Sequence, residues 1–194
     1  MKELLTETVP GRGRRGAERF PSRFFAMRDE GRAVLVLGVG NILLRDEGLG
    51  VRAVEHLRER YVPPEGVELV DGGCGGLRLL SLLASHSRVI VIDAARAGGE
   101  PGSVYRIPGE RLHRSLPLMT ACHDVGLKEL LAMAQLEGAN PEELVVIAVE
   151  PADISPGLEL SETVRERLDD VASLVKDELA RFGYDLRRLE GSPD

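Results

Sequence analysis

Tryptophan is absent from this sequence, and all aromatics together make up only 4% of its 194 residues. No stacking platform for single-stranded nucleic acid or for sugars is therefore available. Positive charge is also scarce. Against 32 Asp and Glu stand 25 Lys and Arg, a formal net charge of -7, and a general nucleic-acid binder needs a basic face instead. A protein or small-molecule partner fits better. Two cysteines, Cys74 and Cys122, are too few for a disulfide framework and form no CxxC pair, which points to a reducing cytoplasm. No apolar run approaches the ~18 residues of a membrane span, and the basic N-terminus lacks the apolar stretch of an export signal. The expectation is a cytoplasmic chain with no membrane span and no nucleic-acid partner.

What is present suits one compact domain. Apolar residues make up 43% of the chain, enough for a sizeable core of Leu, Val, Ile and Ala. Residues Met1 to Met27 hold six Lys and Arg against three Glu, and Pro10, Gly11, Gly13, Gly16 and Pro21 break any periodicity. Residues 1–32 are therefore expected to be a disordered arm, either a real basic extension or one that disappears if translation starts at Met27. A single α/β domain is expected over 33–183, with 184–194 as a tail.

Within that domain, short β-branched runs at Val34–Val39, Val67–Val70, Val89–Ile92 and Leu144–Val149 read as buried strands. Val104–Ile107, bracketed by Pro-Gly pairs, reads as a strand near an edge. Apolar spacing at Val54, Leu57 and Tyr61 predicts a helix ending before Pro63, and Leu77–Ala84 and Val125–Leu136 predict two more. Val164, Leu168, Val171, Val175 and Leu179 stripe a final one. Strands alternating with helices imply a three-layer α/β/α sandwich with a mainly parallel, twisted sheet, and place the site outside the C-terminal strand ends.

The loop after the first strand, Gly38-Val-Gly40-Asn41-Ile-Leu-Leu-Arg-Asp46-Glu47-Gly48-Leu-Gly50, fails as a dinucleotide-binding turn. Leu43 stands where GxGxxG needs glycine, and Asp46 and Glu47 would face a pyrophosphate. Their simplest role is to cap a helix start, which is compatible with binding a cation. Asp93 follows Val89–Ile92 directly, at the end of a buried strand, where a carboxylate must be hydrogen-bonded, hydrated or metal-bound. His123 precedes a helix, whose dipole disfavours protonation and leaves a lone pair to donate. One imidazole and two carboxylates form an incomplete set for a divalent transition metal. Cys74, within Gly72-Gly73-Cys74-Gly75-Gly76, has no base beside it in sequence, and Cys122 next to His123 is no better supported as a nucleophile.

These residues resemble the maturation endopeptidases of nickel-iron hydrogenases. The resemblance runs from Ala33 to about Leu179, and its most specific piece is the loop just quoted, extended to Val51. Asp71-Gly72-Gly73, Val91-Ile92-Asp93-Ala94, Cys122-His123-Asp124-Val125-Gly126-Leu127, and Glu150-Pro151 followed by Leu160-Ser161 fall in the family's order. The resemblance implies a phosphorylase/hydrolase-like α/β fold, an aspartyl-type endopeptidase activity and a hydrogenase large-subunit precursor as substrate. It further implies that Glu47, Asp93 and His123 contact nickel carried by that precursor and form the catalytic and metal site. Cys74 departs from the threonine common in the family. The competing expectation is a non-proteolytic, metal-sensing chaperone or scaffold for the same precursor.

Overall fold

A computed structural model describes residues 34–111, 127–137 and 140–191. The arm before Val34, and Cys122, His123 and Asp124, lie outside the described residues.

The five runs identified as strands form one sheet in the order β3-β1-β4-β6-β5. They are β1 (Val34–Val39), β3 (Val67–Gly73), β4 (Arg88–Ala94), β5 (Val104–Pro108) and β6 (Glu143–Val149). β3, β1, β4 and β6 run parallel, and β5 closes one edge antiparallel to β6. The alternation of each strand's side chains sorts the core into two halves. Val34, Val36, Ile90, Ile92, Ile147 and Val149 face helices α1 (Leu49–Arg60) and α5 (Leu168–Arg181). Leu35, Leu37, Val89, Val91, Val146 and Ala148 face α2 (Leu79–Ser85) and α3 (Leu127–Leu136). Every residue of β1 is buried, which accounts for its unbroken apolar run. Fully burying one such side chain contributes about 1.5–3 kcal/mol.

Three details depart from the sequence expectation. Tyr61 is not the end of α1 but the start of a two-residue strand, β2 (Tyr61–Val62), paired with β7 (Arg187–Arg188). The final helix is broken: α4 (Glu162–Arg165), capped by the Ser161 side chain, is separated from α5 by Glu166 and Arg167. The segment after residue 183 also packs, placing Leu186 at 1% exposure in the α1–α5 core. Apolar stripes alone did not register these, since turn chemistry decides where a helix stops.

The connection from β1 leads to β3 on one side, and the chain then returns past β1 to β4 on the other. The pairing of β1 with β4 ends at Gly38 and Ile92. The ends of β1 and β4 are therefore the topological switch point of the sheet, the place where open α/β sheets carry their sites. Among the described residues no helix is long and apolar enough to cross a membrane.

Candidate active site

The glycines of the first loop let backbone pack on backbone at this switch point. A Cβ on Gly50 would lie 2.2 Å from the Ile92 carbonyl oxygen and 2.3 Å from that of Val39, so only glycine lets α1 begin against both strand ends. Gly40 has φ +138°, and a Cβ there would come within 1.9 Å of the Glu47 carbonyl oxygen, which accepts from the Asn41 N–H at 3.1 Å. The loop thus folds back on itself before a 3-10 turn, Arg45–Gly48, delivers its two acidic residues.

Those acidic residues have separate fates. Asp46 is completely buried. Its Oδ2 accepts from the N–H groups of Ala152 (2.9 Å) and Asp153 (2.8 Å) and from the Ser161 hydroxyl (2.8 Å). Its Oδ1 accepts from the Ser161 N–H at 2.7 Å. The helix-capping role expected for it is not the one it plays, because no side-chain hydrogen bond caps α1. Asp46 instead staples the first loop to the strap after β6, assisted by backbone bonds from Arg45 N–H to Gly157 and from Asp46 N–H to Asp153. With four donors on its two oxygens, it has no role as a base or metal ligand.

Glu47, the next residue, is 7% exposed, in the turn that packs against β4 at the switch point. Asp93, the penultimate residue of β4, is half-buried there. Burial holds the Asp93 carboxyl well above the usual carboxylate range, and the charge on Glu47 raises it further, against a small opposing effect of the Ala94 N–H. Two acidic groups from different elements thus meet in one electrostatic neighbourhood. Sequence reasoning paired them with His123, which lies outside the described residues. Among the described residues, no group of three or more His, Cys, Asp or Glu is placed to hold a metal.

Cys74 lies beside the first loop, its thiol donating to the Gly40 carbonyl at 3.6 Å. Burial and then the charges of Glu47 and Asp71 push the thiol up, away from the thiolate a nucleophile needs. Cys74→Thr is therefore expected to keep its activity within about threefold of wild type, since the hydroxyl can reproduce the hydrogen bond to Gly40. A folded Cys74→Thr protein without activity, together with inactivation of the wild type by alkylation, would restore a thiol mechanism.

Sequence reasoning did not assign a role to Glu150. It is 7% exposed, and its Oε2 accepts from the N–H groups of Ala97 (2.7 Å) and Gly99 (3.3 Å). Its own N–H and carbonyl bond Ser103 and Gly102. It therefore fixes the loop between β4 and β5 that follows Asp93. Only an acidic residue at the end of an apolar strand signalled this in sequence.

Comparison with known proteins now bears on this geometry. A family model described as hydrogenase maturation protease matches residues 51–178. The chain belongs to the hydrogenase maturation protease family. It is 34% identical over 153 residues to the hydrogenase 2 maturation protease of Escherichia coli, covering 78% of this chain and 93% of that protein. With the hydrogenase expression/formation protein HupD of Thiocapsa roseopersicina it shares 36% over 161 residues, 82% of this chain and 73% of the relative. The hydrogenase maturating endopeptidase HybD of Escherichia coli superimposes with a TM-score of 0.75 at 33% identity, over 80% of this chain and 97% of that one. As a hydrogenase maturation protease the chain is a peptidase with an α/β fold of mostly parallel strands, as expected from the sequence. The family model's match begins at residue 51, just after the loop carrying Asp46 and Glu47.

Proposed function

We propose that this hydrogenase maturation protease removes the C-terminal extension of a hydrogenase large-subunit precursor and recognises the nickel already loaded in that precursor. The observation that carries this reading is that Glu47 and Asp93, from two separate elements, lie close enough at the switch point for the Glu47 charge to act on the Asp93 carboxyl. Carboxylates held together in this way repel, and a cation brought by the substrate relieves the repulsion. Hard oxygen donors and an imidazole, which His123 supplies in this reading, suit a divalent transition metal. Three such ligands bind a free ion weakly. Nickel contacts and polypeptide contacts acting together select the loaded precursor through their summed effect.

Hydrolysis then needs one water to add to the scissile carbonyl and one proton to reach the leaving amine. Of the three acidic candidates, Asp46 is fully engaged by its four donors, so Glu47 and Asp93 are left to handle protons. The substrate's nickel can in addition polarise the carbonyl. The free, exposed thiol of Cys74 suits a reducing cytoplasmic setting.

The test is a mass measurement of purified precursor before and after incubation with the protein. Loaded precursor should lose its C-terminal extension while nickel-free precursor stays intact. Equal cutting of both would remove the metal-recognition step. Binding of loaded precursor without release of the extension would favour the scaffold reading instead.

A further inference from the structure

We propose that the outer edge of the same loop is the surface that holds the polypeptide, with Ile42, Leu43 and Leu158 receiving an apolar stretch and Arg45 pairing with an acidic side chain beside it. This rests on the proteolytic reading above.

Apolar exposure concentrates at this edge. Of the six large hydrophobic residues exposed among the described residues, three are Ile42 (39%), Leu43 (60%) and Leu158 (57%). They are neighbours in space as well as in kind. The Gly157 N–H donates to the Leu43 carbonyl at 2.9 Å, Leu44 bridges Gly157, and the Leu158 carbonyl is held by Arg52 at 3.1 Å. Single exposed leucines are ordinary on a protein surface, but three large apolar side chains on adjoining, hydrogen-bonded segments beside the candidate site offer a contact surface.

Arg45 supplies the second observation. It is the only non-glycine residue with positive φ, +47°, among the described residues. Such a conformation costs stability and persists where surrounding contacts impose it, most often at functional positions. The side chain lies over Gly157, where a Cβ would come within 2.9 Å of its Cγ and Nε. Nε lies 3.3 Å from Asp153 Oδ2, an ion pair whose angle falls short of a hydrogen bond. Nε itself is buried while the side chain is 39% exposed, so its exposure lies in other atoms, and the terminal amino groups lie beyond the clamped nitrogen. A guanidinium fixed at one end and open at the other matches the planar geometry of a carboxylate.

Position chooses the occupant. Arg45 and Glu47 sit on one turn, so chain bound at Arg45 lies close to the bond being cut. An endopeptidase cuts inside its substrate, which makes an acidic side chain, rather than a free C-terminus, the group at hand. A second copy of this chain is a poorer fit, since three side chains fall far short of the about 1,200–2,000 Å² that a stable interface buries.

Steady-state cleavage of loaded precursor by full-length protein tests the surface. The double variant Leu43→Ser/Leu158→Ser should raise KM by about tenfold with kcat within about twofold. Arg45→Gly suits the local φ, so its melting midpoint should hold or rise while KM still increases by about fivefold, a combination that misfolding cannot produce. Added salt should weaken the wild type more than Arg45→Gly, because only the wild type has the charged contact to screen. The proposal falls if these variants keep the wild-type KM, if kcat alone drops, or if the two proteins respond equally to salt. Binding of the precursor to immobilised protein separates this failure from that of the proteolytic reading. If wild type binds without cutting and the variants lose binding, the surface stands and the protease assignment falls; if wild type neither binds nor cuts, both fall.

Discussion

Glu47→Gln, Asp93→Asn and His123→Ala should each abolish cleavage of nickel-loaded precursor, by about a hundredfold or more, without unfolding the protein. The reason is that each removes a group assigned to the substrate's nickel or to the proton transfers, and neither Glu47 nor Asp93 belongs to the apolar core. Asp93→Asn adds a sharper expectation, in stability. The folded-state pKa of Asp93 is raised, so its proton favours the fold at low pH and that contribution is lost as pH rises through the raised value. At neutral pH the wild type carries the cost of a buried, repelled carboxyl, which asparagine does not share. Asp93→Asn is expected to be more stable there, and the advantage should shrink toward zero near pH ~4, where an ordinary aspartate is itself protonating. Thermal melts across pH, run beside the cleavage assay, read both effects. Near-wild-type cutting by all three variants would sink the site assignment, and a destabilised Asp93→Asn would show that the carboxyl is structurally satisfied.

Asp46 should behave in the opposite way, losing stability first. Asp46→Ala leaves three part-buried N–H groups and one hydroxyl without their acceptor. A fully buried unsatisfied donor costs about 1–3 kcal/mol, and since these four are only partly shielded each should cost the low end of that range, about 4 kcal/mol together. That is a large share of a typical domain's stability, and a drop in Tm of about 10 °C follows for a chain of this size. Asp46→Asn should fall between, since its carbonyl oxygen can keep the three donors at Oδ2 while its amide meets the Ser161 N–H, donor against donor. A Tm within about 2 °C of wild type for Asp46→Ala would mean that the staple is dispensable.

The contrast between these neighbours shows what the sequence could reveal. Strands were legible because Val34–Val39 and Leu144–Val149 are buried on both faces and so are apolar without interruption. Asp93 was legible as a carboxylate just past such a run. Asp46 and Glu47 looked alike, since both precede a helix, and what separates them is the strap at 152–161, more than a hundred residues away. The same holds for Glu150, whose partners Ala97 and Gly99 have no side-chain signature, because backbone N–H groups bind it. Long-range hydrogen bonds to the main chain leave almost no trace in residue type. The break before α5 was hidden for a local reason, since Glu166 and Arg167 are ordinary helix residues.

The direct seating of Gly50 on the carbonyls of Ile92 and Val39 divides the loop between two kinds of inheritance. The spacing of Glu47 from Asp93 is set by main-chain atoms, so most side chains nearby can be exchanged without re-aiming either carboxylate. Residues 42 to 45, a few positions upstream on the same loop, take no part in that main-chain seating, so a change of side chain there alters the proposed peptide surface alone. Related enzymes can in this way diverge in clientele while their chemistry stays fixed, and a Cβ at position 50 is one of the few changes that would disturb both at once.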